Sequence, residues 1–254
     1  MSSLKGKVGL VVGIANEHSL AYGCARHFHA EGAELAITYL NAKAEPYVRP
    51  LAATLHSKIV LPCDVTVPGQ LESTFEEISS KWGRLDFVLH SIAYARAEDL
   101  HGRLVDCSAD GLAFAMQVSV HSFLRMAKLA EPLMQSGGCL LAMSYYGAEK
   151  AVPHYNVMGP VKAALEAAVR YMAVELGPQH IRVNALSPGP VATRAASGID
   201  HFDELLERAA KNAPEHMLVT LDDVGAYAAF LVSDAAKAIT GDIAYVDAGY
   251  HVVG

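Results

Sequence analysis

The stretch KVGLVVGIANEHSLAYG, residues 7–23, joins a short apolar run to a turn and the start of a helical pattern. The apolar run is typical of a strand that is buried on both faces. In the turn, Gly13 lets the backbone approach a ligand closely, and Ser19 can cap a helix that begins at Leu20. The order of strand, turn and helix predicts the first unit of a parallel α/β fold.

The same alternation continues along the chain. Six further apolar runs predict strands, at 34–40, 58–65, 86–94, 138–145, 181–189 and 242–249. Helical patterns lie near 19–31, 43–56, 68–82, 108–135, 155–176 and 222–234. We therefore predict an α/β protein with a single Rossmann-type, doubly wound domain over residues 1–254, built on a seven-stranded parallel sheet with helices on both faces. Because ligand sites form beyond the carboxyl ends of strands, we expect a substrate-binding helical insertion at about 190–220.

Composition narrows the class of protein. Of the 254 residues, 52% are hydrophobic and 19% are charged, so a large core can form. The net charge of −7 argues against a nucleic-acid binder, which needs a basic face. The four cysteines are scattered singly and predict reduced core residues, and the twelve histidines lack a metal-ligand spacing, so we expect no metal. Without a signal-peptide layout or a long apolar stretch, we expect a cytoplasmic protein with no membrane partner.

The carboxyl edge of the predicted sheet carries features of a dinucleotide site. The N-terminal N–H groups of the helix at Leu20 favour a pyrophosphate, although the turn lacks the G-x-G-x-x-G pattern and is a weak signal alone. Asp64 ends the third strand, where its carboxylate can accept from an adenine amine. Ser91 and Ala93 end the fourth strand and are small enough to leave a cofactor room. The alternative for the first turn is an ordinary strand-to-helix connection.

The stretch SYYGAEKAVPHYNVMGPVK, residues 144–162, holds the candidate catalytic residues. A phenol with a pKa of ~10 is a poor proton donor at neutral pH, and a nearby ammonium lowers that pKa. If 155–176 is helical, Tyr155 and Lys162 lie two turns apart on one face, so the lysine can hold a ribose while the tyrosine faces the reacting carbon. Tyr145 approaches the same point from the end of a different strand. On spacing alone, a packed tyrosine and a solvated lysine are an equal alternative.

These segments, together with LHSIAYA at 89–95 and IRVNALSPGPVATRAASGI at 181–199, carry a family resemblance. The chain resembles the divergent branch of the short-chain dehydrogenase/reductase family, and most closely the bacterial enoyl-acyl-carrier-protein reductases. Those reductases share the spacing found here, in which nine residues separate Tyr145 from Tyr155 and six residues separate Tyr155 from Lys162. The commoner branch of the family has its lysine four positions after the tyrosine.

The resemblance implies hydride transfer from NADH or NADPH to the β-carbon of an enoyl thioester on acyl carrier protein, in fatty acid synthesis by a homotetramer. Tyr155 would hydrogen-bond the enolate oxygen, Lys162 would bind the nicotinamide ribose, and Tyr145 would position the substrate, with Ala95 on the substrate side. A donor placed where charge grows in the transition state lowers the barrier. Implied cofactor contacts are Gly13, Ser19, Leu20, Asp64, Val65, Ile92, Lys162, Val191, Ala192, Thr193, Arg194 and Ala195.

The residues after the second strand depart from an informative pattern. Leu40, Asn41 and Lys43 offer neither an acid for a ribose 2′-hydroxyl nor an arginine for a 2′-phosphate. The choice between NADH and NADPH is therefore open at this stage. Tyr146 falls where the family is usually apolar, and we expect it to pack or to form a pocket wall.

The segment SGIDHFDELLERAAKNAPEH departs from the family more strongly, because the helix over the substrate mouth usually carries basic residues. At helical spacing, one face of this segment is acidic and the opposite face is apolar. The acidic face holds Asp200, Asp203, Glu204 and Glu207, and the apolar face holds Phe202, Leu205, Leu206 and Ala209. An acidic face would repel an acidic carrier protein. The equal alternative is a solvated face, with docking through Arg194, Arg208 or Lys211.

Two other functions compete with enoyl thioester reduction. A carbonyl reductase or alcohol dehydrogenase acting on a small non-thioester substrate would suit the acidic helix, but the spacing of Tyr155 and Lys162 opposes it. A non-catalytic dinucleotide-binding protein would not need the tyrosines and the lysine. His154, beside Tyr155, either tunes the site or starts a helix.

Overall fold

The strands of the protein lie in one parallel sheet. Its structure, a computed structural model, describes residues 3–191, 193 and 201–253. The strands are β1 (Val8–Val12), β2 (Glu34–Tyr39), β3 (Ile59–Pro62), β4 (Phe87–His90), β5 (Gly138–Met143), β6 (Ile181–Pro188) and β7 (Ile243–Val246). Their order is β3-β2-β1-β4-β5-β6-β7, and each neighbouring pair is parallel. The predicted seven-stranded parallel sheet is confirmed, and its order reverses between β1 and β4, where such folds bind ligands.

Helices cover both faces of this sheet. They are α1 (Leu20–Ala30), α2 (Glu45–Thr54), α3 (Gln70–Trp82), α4 (Ala97–Leu100), α5 (Ala109–Met116), α6 (Ser122–Ala130), α7 (Met158–Leu176), α8 (Phe202–Asn212), α9 (Leu221–Val232) and α10 (Tyr250–Val253). Consecutive residues of β1 belong to different cores: Leu10 packs with the side of α3, α6 and α7, and Val11 packs with the side of α1, α2 and α9. The strands are therefore apolar on both faces, as the continuous hydrophobic runs predict.

Helix α7 begins later than predicted. The sequence predicts a helix from 155, but α7 begins at Met158. The cause is local, since His154 and Asn156 have φ values of 63° and 38°, in the left-handed region that a right-handed helix cannot use. Tyr155 therefore lies in a turn before the helix, and the expected two-turn helical spacing between Tyr155 and Lys162 is wrong.

The predicted helix at 108–135 is also interrupted. Between α5 and α6 the backbone forms a π-helical turn at Gln117–His121. At its end the Ser122 hydroxyl donates to the Val118 carbonyl at 2.7 Å and also contacts His90 Nε2 at 2.7 Å. A hydroxyl that bonds the preceding turn loosens regular helix geometry, and π turns recur beside functional sites.

The insertion at 190–220 contributes helix α8. Its apolar residues turn inward, with Ala209 buried against Tyr146 and Tyr250, while Asp203, Glu204 and Glu207 are exposed. The predicted division of this helix into an acidic and an apolar face is confirmed for these residues. Asp200, the remaining acidic residue of the predicted face, lies outside the described residues.

The cysteines follow the prediction with one exception. Cys24, Cys63 and Cys139 are buried and free, whereas Cys107 is half-exposed in the loop before α5. Burial raises the pKa of the Cys24 thiol to about 12, so this group is an inert core residue. Within the described part of the chain, no helix has the length and apolar character needed to span a membrane. The same residues contain no group of three or more side chains suited to holding a metal ion.

Candidate active site

The turn after β1 is shaped by close contact between two strand ends. Gly13 has φ = 122°, and a Cβ built on it would lie 2.1 Å from the Ser91 carbonyl oxygen. The Ser91 N–H in turn donates to the Val12 carbonyl at 2.9 Å. Any side chain at Gly13 would therefore push the ends of β1 and β4 apart. The close approach that the structure shows here is between backbones, at the point where the strand order reverses.

The predicted helix start at Leu20 is confirmed, but the predicted side-chain cap is wrong. The Ser19 hydroxyl makes no bond to the first turn of α1. It accepts instead from the N–H groups of Ala15 at 3.0 Å and Asn16 at 3.1 Å, which closes the turn itself. As a result, the Ser19 side chain leaves the first N–H groups of α1 to other partners, as a pyrophosphate site requires.

The end of β3 is held rigidly at the same edge. Asp64 is half-buried, and its Oδ1 accepts from the Thr66 N–H at 2.9 Å and the Thr66 hydroxyl at 2.6 Å. Val65 is buried, and its carbonyl accepts from Arg125 at 2.9 Å. Ile92 is half-buried beyond β4. The implied adenine side of the cofactor site is thus brought to the carboxyl edge of the sheet with fixed side chains.

The residues after β6 are only partly described. Val191 and Thr193 are half-buried. Ala192, Arg194 and Ala195, the other implied cofactor contacts of this run, lie outside the described residues. Ala95, the implied substrate-side residue, is half-buried and packs against the core on the α7 side of the sheet.

Tyr145 and Tyr155 meet at the carboxyl end of β5. Their ring centroids are 4.8 Å apart at an interplanar angle of 63°, an edge-to-face arrangement. The Tyr145 hydroxyl is buried without a hydrogen-bond partner among the described residues, and a buried orphan donor of this kind indicates a ligand position. Tyr146 turns away to pack on Tyr250 at 5.5 Å, so its expected packing position is confirmed.

A third residue makes this tyrosine pair possible. A Cβ built on Gly147 would lie 2.5 Å from Tyr155 Cδ1 and 3.2 Å from Tyr145 Cδ1. The missing side chain at Gly147 is therefore what lets the two rings approach each other. No local pattern in the sequence predicts this contact, because it depends on the loop that returns Tyr155 to the end of β5.

The ionisation of Tyr155 differs from the expectation. Burial is the largest influence on its phenol, and it raises the pKa well above the ordinary value, with Tyr145 and Glu166 acting in the same direction. Burial likewise raises the pKa of Tyr145. The predicted lowering by the Lys162 ammonium is wrong, because desolvation disfavours the phenolate and the neighbouring groups that act on Tyr155 raise its pKa further. Burial thus favours the protonated phenol of Tyr155, which is the form that can donate a hydrogen bond.

Lys162 is buried, not solvated. Its exposed fraction is 6%, and its ammonium donates to the Met143 carbonyl at 2.6 Å, two residues before Tyr145. Burial lowers the pKa of Lys162 to about 8, and Glu166 opposes that shift. An ammonium has three donors, so two remain for a cofactor ribose. The surface-charge alternative is therefore excluded.

Two buried polar residues of this region were not predicted from the sequence as part of the site. Glu166, one turn after Lys162, accepts from the Ser144 hydroxyl at 2.5 Å. His90 is fully buried, and burial lowers its pKa to about 3, so the imidazole is neutral. An acid on the apolar face of a predicted helix was the available signal for Glu166. The partner of His90, Ser122, comes from the π turn and could not be read from local sequence.

The mouth of the site contains a basic cavity beside α8. A cavity of about 170 Å³ is lined by Tyr146, Lys150, Ala151, Val152, Pro153, Leu205, Arg208 and Tyr250. His154, in the left-handed turn, stacks on His201 at 4.8 Å, and His201 Nδ1 lies 2.8 Å from Glu204 Oε1. The expectation of a helix-start position for His154 is wrong, because this residue precedes α7 and contacts the α8 side of the mouth.

Comparison with known proteins identifies the family to which this fold and this site belong. The family model described as enoyl-(acyl carrier protein) reductase matches residues 13–251. The enoyl-[acyl-carrier-protein] reductase [NADH] of Aquifex aeolicus is 46% identical, over 100% of this chain and 94% of that protein. A Rhizobium meliloti reductase of the same description is 45% identical, over 99% of this chain and 92% of that protein.

Solved structures agree with the sequence relatives. The reductase of Anaplasma phagocytophilum in complex with NAD is 49% identical and superimposes with a TM-score of 0.96, over 100% of this chain and 97% of that chain. The Bacillus cereus reductase with NADP+ and an indole naphthyridinone is 43% identical with a TM-score of 0.97, and both chains are covered completely. The chain, with its half-buried Tyr145 and its buried Tyr155 and Lys162, therefore belongs to the enoyl-acyl-carrier-protein reductase family.

Proposed function

We propose that this protein reduces the double bond of a trans-2-enoyl thioester with NADH, as an enoyl-acyl-carrier-protein reductase of fatty acid synthesis. The observation that carries the proposal is the pairing of Tyr145 and Tyr155 at 4.8 Å, with the buried ammonium of Lys162 bonded to the same strand end. A neutral donor pair and a buried cation at the carboxyl edge of a parallel sheet suit a reduction that builds charge on a carbonyl oxygen.

The residues of the chain would act by positioning and by hydrogen bonding. NADH, when bound, supplies the hydride. Tyr155, kept neutral by burial, donates to the thioester oxygen as that oxygen takes on enolate charge. Tyr145 orients the thioester through its otherwise unpartnered hydroxyl, with Ala95 as a wall on the substrate side. Lys162 holds the nicotinamide ribose with the two donors that Met143 does not use.

The cofactor would lie along the carboxyl edge from the turn of α1 to the start of α7. Gly13, Ser19 and Leu20 form the phosphate end, Asp64, Val65 and Ile92 the adenine side, and Val191 to Ala195 the nicotinamide side. NADH is favoured because the named relatives are NADH reductases, while one solved relative contains NADP+. In the residues after β2, the Arg49 guanidinium pairs with the Glu45 carboxylate at 2.6 Å, and the Asn41 side chain accepts from the Lys43 N–H at 3.0 Å. The side chains of Arg49 and Asn41 are therefore already engaged within the chain.

The acyl carrier would dock at the mouth beside α8. Asp203, Glu204 and Glu207 face solvent there and oppose an acidic partner, whereas Arg208 and Lys150 line the neighbouring cavity and favour it. We therefore propose that carrier protein approaches over Arg208 and that the acidic face slows this approach. Of the other two candidates for docking, Lys211 is exposed near the end of α8, and Arg194 lies outside the described residues.

The assembly and location follow from the same proposal. Tyr171 and Val174 on α7 are 75% and 78% exposed, which is unusual for large apolar side chains and supports a homotetramer built through this helix. Light scattering would test that assembly state. We further propose one domain over residues 1–254 with a substrate-binding insertion at about 190–220, and a cytoplasmic location, which suits an enzyme supplied with NADH.

A rate assay tests the proposal directly. Oxidation of NADH is followed with crotonyl-pantetheine, with a simple aldehyde or ketone, and with no acceptor. The proposal predicts turnover with the enoyl thioester alone. Turnover with the carbonyl compound would indicate a carbonyl reductase, and binding of NADH without any turnover would indicate a non-catalytic dinucleotide-binding protein.

A further inference from the structure

Two buried charged side chains leave the same face of α7 and reach consecutive residues of one strand end. Lys162 and Glu166 are four positions apart, and their exposed fractions are 6% and 4%. The Lys162 ammonium donates to the Met143 carbonyl at 2.6 Å, and the Glu166 carboxylate accepts from the Ser144 hydroxyl at 2.5 Å. The arrangement ties the first half of α7 to the end of β5 by two polar contacts.

This strand end is fixed from the other side as well. The Ser144 N–H donates to the Leu186 carbonyl of β6 at 2.6 Å. Ser144 is therefore held by β6 through its backbone and by Glu166 through its side chain, immediately before Tyr145. A displacement of Glu166 would pass to Tyr145 through this serine and to Lys162 through the helix.

Because Lys162 is buried, its charged state depends on the nearby Glu166 carboxylate. A buried ammonium is costly unless an opposite charge lies near it. Within the described residues, the charged and titratable groups that act on Lys162 are Glu166 from its own helix and His90 from β4. His90 is held neutral by burial, so Glu166 is the acid among these groups. Burial raises the pKa of Glu166, and the hydrogen bond from Ser144 opposes that rise and favours the carboxylate.

We propose that Glu166 is a positioning residue of the reductase: it keeps Lys162 in its charged, cofactor-binding state and fixes Ser144 and Tyr145 at the end of β5. The inference rests on the proposed function, because it takes Lys162 as the ribose-binding residue. Glu166 does not touch the cofactor or the substrate in this account. It acts through Lys162 on cofactor affinity and through Ser144 on the placement of Tyr145.

The pH dependence expected of Glu166 also depends on the titratable and charged groups that act on it or on which it acts. Lys162 and Arg170 lie on its own helix, Ser144 follows β5, and the remaining groups come from the loop before α7 and from β7. The full set is Ser144, Glu149, Tyr155, Lys162, Arg170 and Tyr245. The two tyrosines have raised pKa values, so they stay neutral over the range in which Lys162 loses its proton.

The test uses Glu166→Gln, with Glu175→Gln as a matched control because Glu175 is exposed on the same helix. The dissociation constant of NADH is measured by fluorescence titration from about pH 6 to about pH 10. In the parent, affinity should fall as the pH rises through the Lys162 pKa of about 8. Removing the carboxylate lowers that pKa further, so the fall should move to lower pH in Glu166→Gln.

The size of the expected change in NADH affinity at each pH distinguishes an effect on the charge of Lys162 from a general loss of structure. A shift of about one pH unit makes NADH binding about fivefold weaker near pH 8 and about tenfold weaker near pH 9, and it leaves binding within about twofold of the parent near pH 6. Glu175→Gln should follow the parent throughout. An unmoved pH profile, or an equal loss of affinity at every pH, would overturn the proposal.

A second variant covers the case in which Glu166→Gln does not fold. Ser144→Ala removes the hydrogen bond that holds the Glu166 carboxylate against the end of β5, so it should weaken NADH binding near pH 8 by less than Glu166→Gln does. A Ser144→Ala profile identical to that of the parent would overturn the proposal in that case. Failure of the proposed function is separate, since it would appear as a parent protein that does not reduce crotonyl-pantetheine.

Discussion

The end of β5 and the helix α8 border the same site but are built in opposite ways. At the end of β5, Tyr155, Lys162 and Glu166 are each less than a tenth exposed and lie among packed side chains. In α8, Ala209 is the buried residue, and the acidic side chains face solvent. Charges at the strand end are thus desolvated and strong, whereas charges on α8 are screened by water and salt.

This contrast assigns different tasks to the two regions. Buried groups held by several contacts keep the geometry that a reacting carbonyl requires. Exposed charges alter how fast a large partner arrives but have little effect once a substrate is bound. Substitutions at the strand end should therefore reduce turnover with every enoyl substrate, and substitutions on α8 should matter only for a substrate carried on a charged protein.

The largest effect is expected from Tyr155→Phe. Removing one preorganised donor to a developing oxyanion costs about 10²–10³ in rate, while the packing of the ring is kept. Steady-state turnover with crotonyl-pantetheine and the affinity for NADH are measured, with Tyr47→Phe as the control because Tyr47 is 62% exposed. Near-normal turnover in Tyr155→Phe would remove this residue from the chemistry.

Gly147→Ala should come next, at about 10²-fold lower turnover, because the added methyl group displaces the Tyr155 ring from its partner. Gly177→Ala is the matched control, since a Cβ there meets nothing within 4 Å. Thermal unfolding of both variants shows whether the chain still folds. Full turnover in a folded Gly147→Ala protein would show that the close tyrosine pair is not needed.

Lys162→Ala should weaken NADH binding by about 10–100-fold, the value of a hydrogen bond from a charged group, and should affect affinity at least as much as turnover. Cofactor titration is the measurement. Lys58→Ala, on an exposed loop, provides the comparison. If the affinity of Lys162→Ala for NADH equals that of the parent, the ribose-binding assignment is wrong.

The smallest effect is expected on α8. Replacing Asp200, Asp203 and Glu204 with lysine should raise catalytic efficiency about tenfold for an enoyl-carrier-protein substrate at low ionic strength, because repulsion becomes attraction. The efficiency of the parent should rise with salt and that of the variant should fall. Crotonyl-pantetheine, which has no charged protein surface, is the control substrate. Efficiency on the carrier-borne substrate that is high in the parent and unchanged in the variant would place docking elsewhere.

The same contrast explains how far the sequence could be interpreted. The sheet was predictable because apolar runs and helical periods are local signals, and the strand ends then fall at one edge by topology alone. Tyr145, Tyr155 and Lys162 were identified through the resemblance to the reductases that share their spacing, because spacing alone left a packed tyrosine and a solvated lysine as an equal alternative. The start of α7 was not predicted, because two residues in left-handed conformation, His154 and Asn156, delay it by a turn.

The remaining misses arise from competition between interactions. Ser19 could cap α1, but the N–H groups of Ala15 and Asn16 take its hydroxyl. For Tyr155, the sequence predicts that the Lys162 ammonium lowers the pKa of the phenol, and only the packed structure shows that burial is the largest influence and raises it. Glu166 had a sequence signal, an acid one turn after Lys162, but its bond to Ser144 depends on how α7 packs on β5.

Hydride transfer to an enoyl thioester leaves the transferred hydrogen at one defined carbon of the product, and isotope labelling locates that carbon. The protein is supplied with NADH deuterated at its transferable hydrogen and with crotonyl-pantetheine, and the product is analysed by mass spectrometry and NMR. We expect one deuterium at the β-carbon of a saturated thioester, and loss of this product in Tyr155→Phe. Deuterium at the carbonyl carbon, or no labelled product from the parent protein, would contradict it.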